Sequence, residues 1–86
     1  MDINELIAIV KKKLVDQINI NSIKIEDKSF IHKNHIGNQD GKFHLKITMG
    51  SEELKNMGRI ESNKRIYKIL ENELKNSIHS IQILIT

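Results

Sequence analysis

Residues 42–49 read KFHLKITM. Phe43, Leu45, Ile47 and Met49 alternate with His44, Lys46 and Thr48, the two-residue period of a strand with one covered face. Gly50 closes the strand. Ser51 with Glu52 and Glu53 then reads as an N-cap and an acidic first turn opening a short helical turn. Gly58 separates that turn from a longer helix expected over about 59–75, with Ile60, Ile66, Tyr67, Leu70 and Leu74 as its buried face. Asn76 reads as its left-handed C-cap. Residues 78–85, IHSIQILI, alternate again. Parity puts His79, Ile81, Ile83 and Ile85 on one face, with Ile78 and Leu84 on the other.

Towards the N-terminus the same reading continues. Ile3, Leu6, Ile7, Val10, Leu14 and Ile18 recur at helical spacing, so residues 2–18 read as a helix. Asp2 followed by Glu5 has the form of a capping box. Residues 22–28, SIKIEDK, alternate with Ile23 and Ile25 inward, as a half-buried strand. Residues 29–41 lose all periodicity and hold Gly37, Asn38, Asp40 and Gly41, the composition of a surface loop.

The order is helix, strand, strand, short helix, helix, strand. The first two strands can pair antiparallel across the loop, and the third returns through helix to lie parallel to the second. The expected fold class is therefore α+β, a three-stranded mixed sheet with helices packed on one face. The whole of residues 1–86 reads as a single domain, because 86 residues leave no room for two.

Composition narrows the function. Seventeen of the residues are isoleucine and only Phe30, Phe43 and Tyr67 are aromatic. Fourteen basic side chains against eleven acidic ones give a net charge of +3, but only Arg59 and Arg65 are arginine. That balance permits weak phosphate contact and argues against bidentate base readout. No apolar run approaches a membrane span, so the chain reads as cytoplasmic. With no cysteine, there is no thiolate nucleophile, no disulfide and no all-cysteine metal site. No paired carboxylates in a cleft, nucleophile elbow or phosphate-cradling loop is visible, and the chain is not expected to be an enzyme.

Soft metal chemistry would have to use His32, His35, His44 and His79, or borrow thiolates. His32 and His35, three apart in the loop with no acid or thiol beside them, read by spacing alone as a solvated pair. His79, taken alone, reads as a half-buried histidine at the edge of the core. His44 reads as solvent-facing or helix-capping. Arg59, Lys64 and Arg65 decorate a helix that follows a short helix and a glycine turn, the outline of a helix-turn-helix. Without further information they are the polar side of an amphipathic core helix.

Together these pieces resemble the BolA family. The matching stretches are DKSFIH at 27–32 with His35 shortly after, GKFHLKI at 41–47, RIESNKRIYKIL at 59–70 and IHSI at 78–81. The resemblance covers about residues 3–85. It implies a fold like a type II KH domain, in the order α-β-β-α-α-β, without the G-x-x-G clamp that KH domains use on nucleic acid. It also implies partnership with a monothiol glutaredoxin and a shared [2Fe–2S] cluster, for which glutaredoxin and glutathione supply thiolates. By position in the family pattern, His79 is one ligand. His32 is the better match for the second, with His35 as its alternative. The cluster would then form only in the complex, the isolated chain binding no cofactor and standing as a monomer.

The alternative implied by the family is a small DNA-binding regulator using Arg59, Lys64 and Arg65. Ser62, Asn63 and Lys64 stand where the family usually has an Arg-His-Arg triple, and this weakens that alternative. Leu45 and Leu54 stand where phenylalanine is common.

Overall fold

The computed structural model describes residues 2–29 and 42–86. Helix α1 (Ile3–Gln17) leads into strand β1 (Ser22–Asp27). Strand β2 (Phe43–Gly50) is followed by three helices, α2 (Glu52–Met57), α3 (Arg59–Ile69) and α4 (Glu71–Asn76), and by strand β3 (Ile78–Ile85). The sheet order is β1-β2-β3, with β1 antiparallel and β3 parallel to the central β2. This is the mixed α+β arrangement expected from the order of the elements. Among the described residues no helix is long and apolar enough to cross a membrane.

Local chemistry sets the helix starts. The Asp2 carboxylate accepts from the Glu5 backbone N–H at 2.8 Å, satisfying one of the donors that a first turn leaves open. Ser51 does the same for Leu54 N at 3.2 Å and donates to Asn19 O at 2.8 Å, tying α2 to the chain leaving α1. Gly58 has a φ of 84°, which a Cβ would resist, and it allows α2 and α3 to meet with no linker.

The core lies between α1, α3 and the inner face of the sheet. Leu6, Val10, Leu14, Leu45, Ile47, Met49, Leu54, Ile66, Leu70 and Ile78 are buried there. The central strand is fully covered, so Leu45 and Ile47 are buried. Ile23 and Ile25 on β1, and Ile81 and Ile83 on β3, sit on the same face but are half-buried, because the helices only partly overhang the outer strands.

Three expectations are corrected. The single helix over 59–75 is broken at Leu70 into α3 and α4. Its buried side is Ser62, Ile66, Leu70 and Glu73, which leaves Ile60 72% and Tyr67 46% exposed. Side chains step by about 100° along a helix, so Tyr67 and Ile60 both fall off the line through Ile66. Asn76 is not a left-handed cap: no non-glycine residue among those described has a positive φ, and Ser77 closes α4. Asn76 Nδ2 instead donates back to Asn72 O at 3.0 Å.

The third correction concerns the start of β3. Phe43 pairs with Ile78 and His44 with Ser80. β3 therefore advances two residues while β2 advances one, which is a bulge with His79 as the extra residue. The bulge breaks the simple parity. Ile78, expected on the outer side, lies in the core at 2% exposure.

The outer face of the sheet is charged around β1. Glu26 lies opposite Lys46, 3.4 Å from Lys28 Nζ and 3.9 Å from Lys24 Nζ. Its partial burial works to raise its carboxyl. The hydrogen bond from Lys28 and the charges of Lys24, Lys28 and Lys46 outweigh that and hold it below its ordinary value of 4.5. A lowered carboxylate stabilises the fold above its unfolded value and loses that contribution as pH falls through the folded one. Glu26→Gln is therefore expected to lower stability slightly at pH 7, with the difference from wild type shrinking as pH falls below the ordinary glutamate range. Urea unfolding of both proteins at pH 7 and pH 3 checks this, and a difference that grows on acidification would contradict it.

Candidate functional site at the strand bulge

The bulge brings two histidines together. The rings of His44 and His79 lie with centroids 4.8 Å apart and planes inclined by 54°. His79 is exposed. It does not share the isoleucine face as parity suggested, because it is the inserted residue and its ring sits beside His44 of the outer face. His44 is not solvent-facing. It is 6% exposed, and its Nδ1 lies 2.7 Å from Ser80 Oγ. The bulge covers it with His79 and Ser80, neighbours that parity along a single strand cannot reveal.

The described residues that flank 30–41 are pinned at the same place. Lys28 N donates to His44 O at 2.7 Å, and His44 N donates to Ser29 Oγ at 3.1 Å. Ser29 N in turn donates to Asp27 Oδ1 at 2.9 Å, an Asx turn. On the other flank, Phe43 N donates to Ser77 O at 3.0 Å. Ser29 and Phe43 thus both meet the sheet at the bulge. His32 and His35 themselves lie outside the described residues.

The chemistry available here is imidazole chemistry. The chain has no cysteine. Among the described residues no three His, Asp or Glu side chains gather as a metal-binding group. An exposed imidazole on a fixed strand can serve as one ligand of a centre whose remaining ligands come from elsewhere. Ser29 stands in the matching stretch DKSFIH, but nothing in the sequence signals its bond to His44 N; nor is the partner of Ser80 legible there, because it depends on the register shift.

The basic residues of α3 divide. Arg59, Lys64 and Lys68 are exposed. Arg65 is built into the fold: it pairs with Glu53, its Nη2 donates to Gln17 O at 2.7 Å, and its Nη1 donates to Met57 Sδ at 3.7 Å. It ties the end of α1 to α2 and α3, and a substitution there tests the fold more than any ligand.

Solved structures of similar chains share this fold. The chain is 28% identical over 75 residues to the DNA-binding transcriptional regulator BolA of Haemophilus influenzae, covering 87% of this chain and 70% of the relative. It is 24% identical over 80 residues to the chloroplastic/mitochondrial SufE-like protein 1 of Arabidopsis thaliana, spanning only 22% of that longer protein. Among solved structures, BolA1 of Arabidopsis thaliana superposes with a TM-score of 0.77 at 23% identity, covering 92% of this chain and 87% of that one. The BolA domain of SufE1 from the same plant gives 0.76 at 22% identity, with the same coverage. Residues 14–86 match the family described as BolA-like protein, and the chain belongs to that family.

Proposed function

We propose that this chain is the partner of a monothiol glutaredoxin and contributes histidine ligands to a [2Fe–2S] cluster held between the two proteins, in cluster trafficking or iron sensing. The observation that carries the reading is the bulge. It holds His79 exposed on a strand beside His44, and Ser29 is bonded to His44 N. Ser29 stands three residues before His32 in the sequence, a stretch that reaches at most about 10 Å. His35 remains the alternative. Neutral imidazoles can replace two thiolates on one iron of such a cluster. A chain without cysteine would contribute that half and take thiolates from glutaredoxin and glutathione. The residues present therefore fit a shared centre and not one held by this chain alone. Co-purification with a monothiol glutaredoxin under anaerobic conditions, followed by visible absorption and circular dichroism, tests it.

A second reading has one observation in its favour: the relative from Haemophilus influenzae is named a DNA-binding transcriptional regulator. Arg59 and Lys64 are the exposed cations that would meet DNA, since Arg65 is tied to Glu53 and Gln17. Binding resting on so few phosphate contacts is expected to be weak and to fall steeply with salt. A filter-binding or anisotropy titration between low and physiological salt measures this. Tight binding to one sequence at physiological salt would place the regulator ahead of the cluster partner.

A further inference from the structure

The two edges of the sheet are built differently. On β1, Lys24, Glu26 and Asp27 interrupt the strand, with Lys28 just beyond it, the charged guard that keeps an edge from pairing with other chains. β3, IHSIQILI, has no Lys, Arg, Asp or Glu in eight residues, yet it too is an edge strand. Thr86 N donates to Met49 O, so the even-numbered residues of this half of β3 turn their peptide groups to β2. Backbone direction alternates along a strand, and Ile81, Ile83 and Ile85 therefore turn theirs outward.

Beside the last two of these lies a cleft of about 350 Å³, between Ile83, Leu84 and Ile85 on one side and Leu54, Lys55, Gly58, Arg59, Ser62 and Asn63 on the other. Among the described residues its charged lining side chains are Lys55 and Arg59, both exposed, and no carboxylate lines it.

We propose that this cleft is a docking site for an extended acidic peptide segment of a partner protein, which adds to β3 as a fourth strand. The outward peptide groups of Ile81, Ile83 and Ile85 recur at about 6.6 Å, the repeat of a polypeptide strand. Lys55 and Arg59 would meet carboxylates of the incoming segment, and Leu84, 47% exposed, offers apolar contact. A single-stranded nucleic acid fits less well, because neither Phe43 nor Tyr67, the aromatic side chains among the described residues, lines the cleft, and sequence-tolerant strand binding relies on aromatic stacking. The site lies about 16 Å along the strand from His79, so it is independent of the proposed cluster ligation.

The test uses the full chain labelled with ¹⁵N and a capped octapeptide alternating valine and glutamate. The expected result is saturable binding that shifts the amides of Ile83 and Ile85 and slows their hydrogen exchange. Lys55→Glu with Arg59→Glu is expected to weaken it at least about tenfold, while the amides of Leu45 and Ile47 keep their positions as evidence of an intact fold. The same peptide N-methylated at alternate residues, added to the unsubstituted protein, is expected to lose binding, since the donors that face β3 are gone. The proposal is overturned if the acidic peptide leaves the Ile83 and Ile85 amides unmoved, or if a valine–lysine peptide binds equally. It is also overturned if oligothymidine or oligouridine occupies the cleft more tightly, or if those amides broaden with protein concentration alone, which would assign the edge to a second copy of the chain.

Discussion

Ile78→Ala is expected to destabilise the protein by about 2–5 kcal/mol, the range for deleting a buried isoleucine side chain. In a domain of this size that lowers the melting temperature by roughly 10 °C or more. Ile60→Ala is expected to change stability by no more than about 0.5 kcal/mol. Both residues are isoleucines in segments whose patterning mispoints them. Strand parity places Ile78 outside, but the bulge at His79 turns it into the core, where it is 2% exposed beside Phe43. Helical spacing recruits Ile60 to the core, but α3 starts at Arg59 and turns that first position to solvent, 72% exposed. Thermal and urea denaturation of the two variants compares them directly. Equal effects would mean that the bulge, and with it the placement of His79, is wrong.

Lys13→Ala is expected to cost about 2–4 kcal/mol, through the residue it leaves behind. Lys13 Nζ lies 2.9 Å from Glu73 Oε1 and 2.7 Å from Oε2, bridging α1 to α4. Glu73 is 5% exposed, so losing the lysine strands a carboxylate away from water. The cost falls short of that for a wholly buried pair because Lys13 is itself 37% exposed and solvent reaches it. The pair as a whole contributes much less than the single variant suggests. Lys13→Met with Glu73→Leu removes both charges and keeps apolar volume, and it is expected to be near neutral or stabilising. A double-mutant cycle by urea unfolding separates the two effects. A single variant as mild as the double one would show that water already reaches Glu73.

The contrast between these residues marks what is legible in a sequence. Local periodicity finds the elements: residues 78–85 fold as the strand their alternation predicts, and Asp2 and Ser51 cap the helices they precede. It also finds the central core, since Leu45, Ile47 and Met49 alternate without interruption through a strand covered by helices. Periodicity is silent on register. The Phe43–Ile78 and His44–Ser80 pairings depend on the two strands together, so His44 reads as solvent-facing until its partner is known. Arg65 illustrates the same limit. Its role as a tie between Glu53 and Gln17 joins residues far apart in sequence, and one helix wheel shows only a cation on a polar face. His79 was legible through a family pattern, whereas its contact with His44 was not.

The proposed role of His79 is that of a cluster ligand in a complex with glutaredoxin. The most direct measurement is the visible circular dichroism of the anaerobically reconstituted heterocomplex, recorded for wild type, His79→Ala and the double substitution of His32 and His79. The expected spectrum is distinct from that of the glutaredoxin alone. His79→Ala should lose the histidine-type signature while the far-ultraviolet spectrum of the free chain is unchanged, because His79 is exposed and contributes little to the core. A double variant whose heterocomplex keeps both the spectrum and the reduction potential of wild type would contradict it.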